Sequence, residues 1–93
     1  MMLSPADLAR CEEIANGPAL VHSIVGEVAL RTGFKPAEIM GARRWASLAA
    51  ARQLVYFVAN ERGVTTPQIA LAMNRDTSTV HYGIKAEQAR RGQ

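Results

Sequence analysis

The 93 residues, 48% of them hydrophobic and only one a cysteine (Cys11), suffice for one small core and exclude an internal disulfide or a cysteine-based zinc site. No uncharged stretch is long or apolar enough to span a bilayer, and no N-terminal segment pairs a basic start with an apolar run and a cleavage site, so a reduced, cytoplasmic setting is expected. Net charge is +3 but unevenly spread, residues 1–30 summing to −3 and residues 31–93 to +6, a weak pointer to an anionic partner.

Ser4-Pro5-Ala6-Asp7 reads as an N-cap, a proline at the first helical position and an early acid. The pattern predicts a short helix to about Ala15, stopped by Gly17-Pro18. Residues 1–18 would thus form an acidic N-terminal helical extension bearing Asp7, Glu12 and Glu13. A helix over about 19–32 follows, with Leu20, Val21, Ile24, Val25 and Val28 at helical spacing and Gly33 as its left-handed end. Residues 35–40 give one or two turns, ended by Gly41. A long helix over about 45–61 buries Leu48, Val55 and Val58 and is closed by Gly63. Thr66-Pro67 opens a short helix to Met73, and a last helix covers about 77–90. With no strand, repeat or low-complexity segment legible, the predicted fold class is all-α: a single small multi-helix domain over 1–93 with a C-terminal helix-turn-helix.

Met73-Asn74 suits the reversal between the last two helices, because asparagine tolerates the left-handed backbone conformation. Ile69, Ala70 and Met73 share a face of the first, and Val80 and Ile84 a face of the second. Small Ala70 permits a close approach, and Asp76 or Thr77 is expected to cap the second helix. Its outer surface then carries Arg75, Asp76, Thr77, Ser78 and Thr79 at the tip, and His81, Tyr82 and Lys85 beyond. Helix-start amides and the helix dipole attract phosphate, and hydroxyls donate to phosphate or read base edges. A surface helix with ordinary Ser/Thr capping accounts for the same residues without DNA.

A second constellation precedes and opens the long helix. Arg43 and Arg44 occupy a loop, and Arg52 and Gln53 lie two turns into the helix. A loop arginine suits a narrow, A/T-rich minor groove, and Arg52 and Gln53 are candidates for holding flanking backbone or a base edge. A solvated basic loop is the plain alternative, and Trp45 is expected as a core anchor rather than a stacking platform.

Over residues 28–85 the chain resembles the C-terminal DNA-binding domain of the bacterial replication initiator DnaA, a Trp-repressor-like helix-turn-helix. The matching pieces are Val28-Ala29, Glu38-Ile39-Met40, Arg43-Arg44, Ala51-Arg52-Gln53, Thr66-Pro67-Gln68-Ile69 and Arg75-Asp76-Thr77-Ser78-Thr79-Val80, in the family's order. The resemblance implies that Arg44 enters a minor groove, that Asp76, Thr77, Ser78 and Thr79 address the major groove and nearby phosphates, and that Arg52 and Gln53 support DNA contact. The chain also departs from the pattern. A Gly-Gly pair is reduced to Asn74, which shortens the turn to the length usual in helix-turn-helix repressors. The signature His is Thr77, and a usual basic residue on the long helix is Ala50. A different base preference is therefore expected. The sequence carries no Walker-type phosphate loop, so ATP-driven origin melting is not expected of it.

The expected function is sequence-specific binding of double-stranded DNA at the nucleoid, first as a transcriptional regulator, phage or mobile-element genes being a natural setting. The alternative is a replication-initiation accessory that binds an origin, and a further one is a protein-interaction module that has lost DNA binding. An enzyme is not expected: neither His22 nor His81 has a cysteine or paired carboxylate at catalytic spacing. No cofactor or metal is expected. Contact with a protein partner or a second copy through the N-terminal helix is left open, with a lid over the core the favoured role for that helix.

Overall fold

Five helices follow one another with no strand among the described residues: α1 (Pro5–Thr32), α2 (Pro36–Met40), α3 (Ala46–Glu61), α4 (Thr66–Met73) and α5 (Thr77–Arg90). The computed structural model describes residues 2–92, and for residues 9–16 the backbone alone. The expectations placed on the Cys11 thiol and on the Glu12 and Glu13 charges therefore lie outside the described residues.

The start of α1 follows from its first residues. The Ser4 hydroxyl accepts from the Asp7 amide at 3.2 Å, and the Asp7 carboxylate accepts from the Ser4 hydroxyl at 2.8 Å and the Ser4 amide at 3.2 Å. This capping box satisfies otherwise orphaned helix-start donors. The bonds from the Ser4 hydroxyl and then its amide hold the Asp7 carboxyl below its ordinary range. At the other end Gly33 takes φ 81° and returns its N–H to Ala29.

Between these ends the expectation of two helices is corrected, since α1 runs unbroken through Gly17 and Pro18. A proline removes one hydrogen bond from a helix and strains it locally, at about 3 kcal/mol. Packing offsets that penalty. Gly17 is buried, with a β-carbon position 3.7 Å from the Gln68 side chain, so the helix presses on the start of α4 just where the sequence punctuates it.

The core is built around α3, which touches all four other helices. Val21, Ile24, Val25 and Val28 of α1 face Leu48, Ala51, Val55 and Ala59 of α3 within one cluster that also takes in Ile39, Ile69, Met73 and Val80. Val58, expected inside, is half-buried, while Tyr56 and Phe57 are buried instead. The lid over the core expected of the N-terminal extension is not made by residues 2–8, and the side chains of residues 9–16 lie outside the described ones. Residues 2–8 are all exposed, Leu3 and Leu8 among them. A helix as long as α1 spans roughly 42 Å at 1.5 Å per residue, which accounts for most of the 49 Å longest dimension.

Candidate nucleic-acid interface

The reversal between α4 and α5 rests on one residue. Asn74 takes φ 53° and ψ 53° and donates its N–H to Ala70 and Leu71 carbonyls, while the Arg75 amide donates to Ala70 at 2.8 Å. The Thr65–Gln68 capping box sets the start of α4. Val80, Gly83 and Ile84 of α5 are buried, so that Asp76, Thr77, Ser78, Thr79, His81, Tyr82 and Lys85 share the outer side, all exposed. Asp76 occupies the N-cap position with extended backbone, but its carboxylate accepts no capping bond. The side-chain cap expected at Asp76 or Thr77 is therefore absent, and the first-turn amides of α5 point outward without a side-chain acceptor.

Gly83 sets the seat of this helix. A β-carbon at that position would lie 2.6 Å from Cδ2 of Tyr56 and 3.1 Å from Cγ of Gln53. Neither Tyr56 nor Gly83 was singled out from the sequence. The available signal was a glycine inside a helical pattern, which usually has a packing reason. Burial pushes the Tyr56 phenol above its ordinary range, with the Arg75 and Arg52 charges pulling the opposite way by less.

The two arginines closest to this centre do not face outward as expected. Arg52 is 7% exposed. Its Nε donates to the Ile39 carbonyl at 2.8 Å, one terminal nitrogen to Glu38 at 2.9 Å and the other to Arg43. The outward DNA contact expected of Arg52 thus gives way to an internal one: carbonyls at the end of α2 lack helical donors, and a forked guanidinium supplies them. Burial, and then the neighbouring Arg75 charge, draw its guanidinium below the usual range. Arg75 is half-buried, donating to the Met73 and Asn74 carbonyls at 3.4 and 3.2 Å and, across the fold, to Gly41. Gln53 is half-buried in the α3–α5 seam, where its side-chain oxygen accepts from Arg90.

Arg43 and Arg44 are both exposed in the loop over residues 41–45. The Arg43 guanidinium lies 5.1 Å from the centroid of the Trp45 ring, a cation–π distance. Trp45, expected as a core anchor, is 54% exposed. It is the N-cap residue of α3, with extended backbone, and the buried face of that helix begins only at Leu48. The structure thus brings Arg75 to the Gly41 carbonyl at the start of the Arg43–Arg44 loop, and leaves the exposed tip of α5 adjoining in sequence.

Among the described residues no helix is long and apolar enough to cross a membrane. The family described as bacterial dnaA protein helix-turn-helix matches residues 21–86, from within α1 into α5. No curated protein and no solved structure matches the chain.

Proposed function

Because the chain belongs to the bacterial DnaA helix-turn-helix family, we propose that it binds double-stranded DNA sequence-specifically, with the start of α5 in the major groove and Arg44 in a neighbouring minor groove. The observation that carries this reading is the exposed first turn of α5, where Thr77, Ser78 and Thr79 surround amides that Asp76 does not cap. Amides of this kind at the positive end of a helix dipole suit phosphate, and the hydroxyls and Thr methyls suit base edges. Asp76, His81, Tyr82 and Lys85 extend the same surface. Arg43 and Arg44 supply charge from the loop, and Gln53 acts from the seam behind α5.

A salt titration tests it. With about 4–6 phosphate contacts, affinity falls with a log–log slope near −4 to −5. Arg44→Ala weakens binding mostly at sites with A/T-rich flanks, and Ser78→Ala with Thr79→Ala weakens it at every site. If these variants bind a selected site as tightly as the parent, the docking arrangement is wrong.

Two cellular roles follow from this reading. Family membership favours an origin-binding factor in replication, and the short turn of Asn74, Arg75 and Asp76, of repressor length, favours a transcriptional regulator. Mapping occupied chromosomal sites separates them: promoter-proximal peaks support regulation, one origin-proximal cluster supports replication. The exposed Leu3 and Leu8 support a protein partner or second copy on the N-terminal turns, which sedimentation of the parent and of a chain lacking residues 1–8 examines.

A further inference from the structure

The loop over residues 41–45 bears two exposed arginines, and neither of its flanking helix caps is made by a side chain: the end of α2 closes on a backbone bond from Gly41 to Glu38, and Trp45 caps α3 without one. Such a loop is mobile unless something else holds it. Two guanidinium groups do, and they come from different places in the fold. Arg52, on α3, reaches the carbonyls of Glu38, Ile39 and Arg43. Arg75, one residue before the N-cap of α5, reaches the carbonyl of Gly41, 34 positions away in sequence, while it also donates to the turn carbonyls of Met73 and Asn74. Arg75 therefore bonds the helix-turn-helix reversal with one end of its fork and the basic loop with the other. A planar fork with donors in fixed directions can do this, and a lysine ammonium, a single point of charge, cannot span both.

We infer that Arg75 is a positioning residue that fastens the Arg43–Arg44 loop to the first turn of α5, with Arg52 as the second fastening, so that both elements meet DNA at one fixed spacing. This rests on the DNA-binding reading above, although the fastening is a property of the free protein. Its consequence is a specificity that no single contact supplies. A loop arginine held at a fixed offset from the reading helix accepts an A/T-rich minor groove at one phase along the duplex and rejects it one base pair away. A loosened loop follows the groove to either position.

The sole tryptophan of the chain, Trp45, lies in this loop and reports on it directly. In the free protein, Arg75→Ala is expected to lower the fluorescence anisotropy of Trp45 and increase its quenching by acrylamide, with the helical circular dichroism retained. Arg75→Lys, which keeps the stem and the charge and so protects the fold, is expected to loosen Trp45 as well. On DNA, the parent loses affinity about tenfold when the A/T tract is moved by one base pair, a typical penalty for a mismatched position, and both variants lose much less. Unchanged Trp45 signals in both variants overturn the fastening whether or not DNA binds. Loosened Trp45 with an undiminished one-base-pair penalty overturns the positioning role. A parent that binds no duplex at all overturns the DNA reading instead, and the fluorescence still decides the fastening.

Discussion

Gly83 does its work by lacking a side chain. A methyl group there would sit 2.6 Å from the ring of Tyr56, which is itself 2% exposed and has no room to withdraw. On an open helix surface a glycine-to-alanine change stabilises by about 0.5–1 kcal/mol. At this position overpacking, at about 1–3 kcal/mol, outweighs that gain. Gly83→Ala is thus expected to lower stability by about 1–2 kcal/mol, read from the urea midpoint; a more stable variant would mean that α5 does not sit this close to α3. The ring it would strike has its own signature. The buried Tyr56 phenol titrates above the ordinary tyrosine range, which absorbance at 295 nm measures once Tyr82→Phe leaves it the only tyrosine. Because the folded state raises that pKa, the neutral phenol is the favoured form. Its contribution to stability is complete below the unfolded value near 10 and is lost as pH rises through the folded one. Titration at or below the unfolded value would contradict the burial.

The helices divide by how local their determinants are. The ends of α4 and α5 were legible because their signals lie within a few residues: Thr66-Pro67 at one start, Asn74 at the reversal, Val80 and Ile84 marking the buried face. The continuity of α1 was not, because Gly17-Pro18 is a local stop signal overruled by packing against α4, which no short window of sequence contains. Pro18→Ala is accordingly expected to stabilise the protein, by about 1–3 kcal/mol, since it restores a helix hydrogen bond and removes an exposed ring that crowds the preceding turn of its own helix. Thermal melting followed at 222 nm tests this, and a lower midpoint would count against a continuous helix. The candidate site divides in the same way. The hydroxyls at the tip of α5 and the Arg43–Arg44 loop are where local pattern placed them, outside the core. Arg52 and Arg75 read as outward-facing because a sequence displays their charge and conceals the carbonyls, up to 34 positions distant, that take up their donors. Trp45 erred oppositely: its size suggested the core, and its place before the first buried turn of α3 keeps it out.

At the scale of the molecule, the long axis belongs to α1, and the core lies against its second half from Val21 onward. The first turns contribute little to that core where they are described, residues 2–8 being exposed throughout. A chain lacking residues 1–8 should lose no more than a helix cap is worth, about 1 kcal/mol, in a denaturant melt. A loss of several times that would restore the extension to the role of a cover. The same scale shows what the paired arginines leave undone. Arg52 and Arg75 have carbonyl oxygens for their donors, yet neither is paired with a carboxylate among the described residues. Hydrogen bonding and charge balance are thereby separated: backbone carbonyls take up the donors, and no carboxylate among the described residues neutralises the charge. A polyanion drawn to the half-buried Arg75 charge then does more than add a contact: by binding the folded chain it stabilises it, and association and folding become one linked equilibrium.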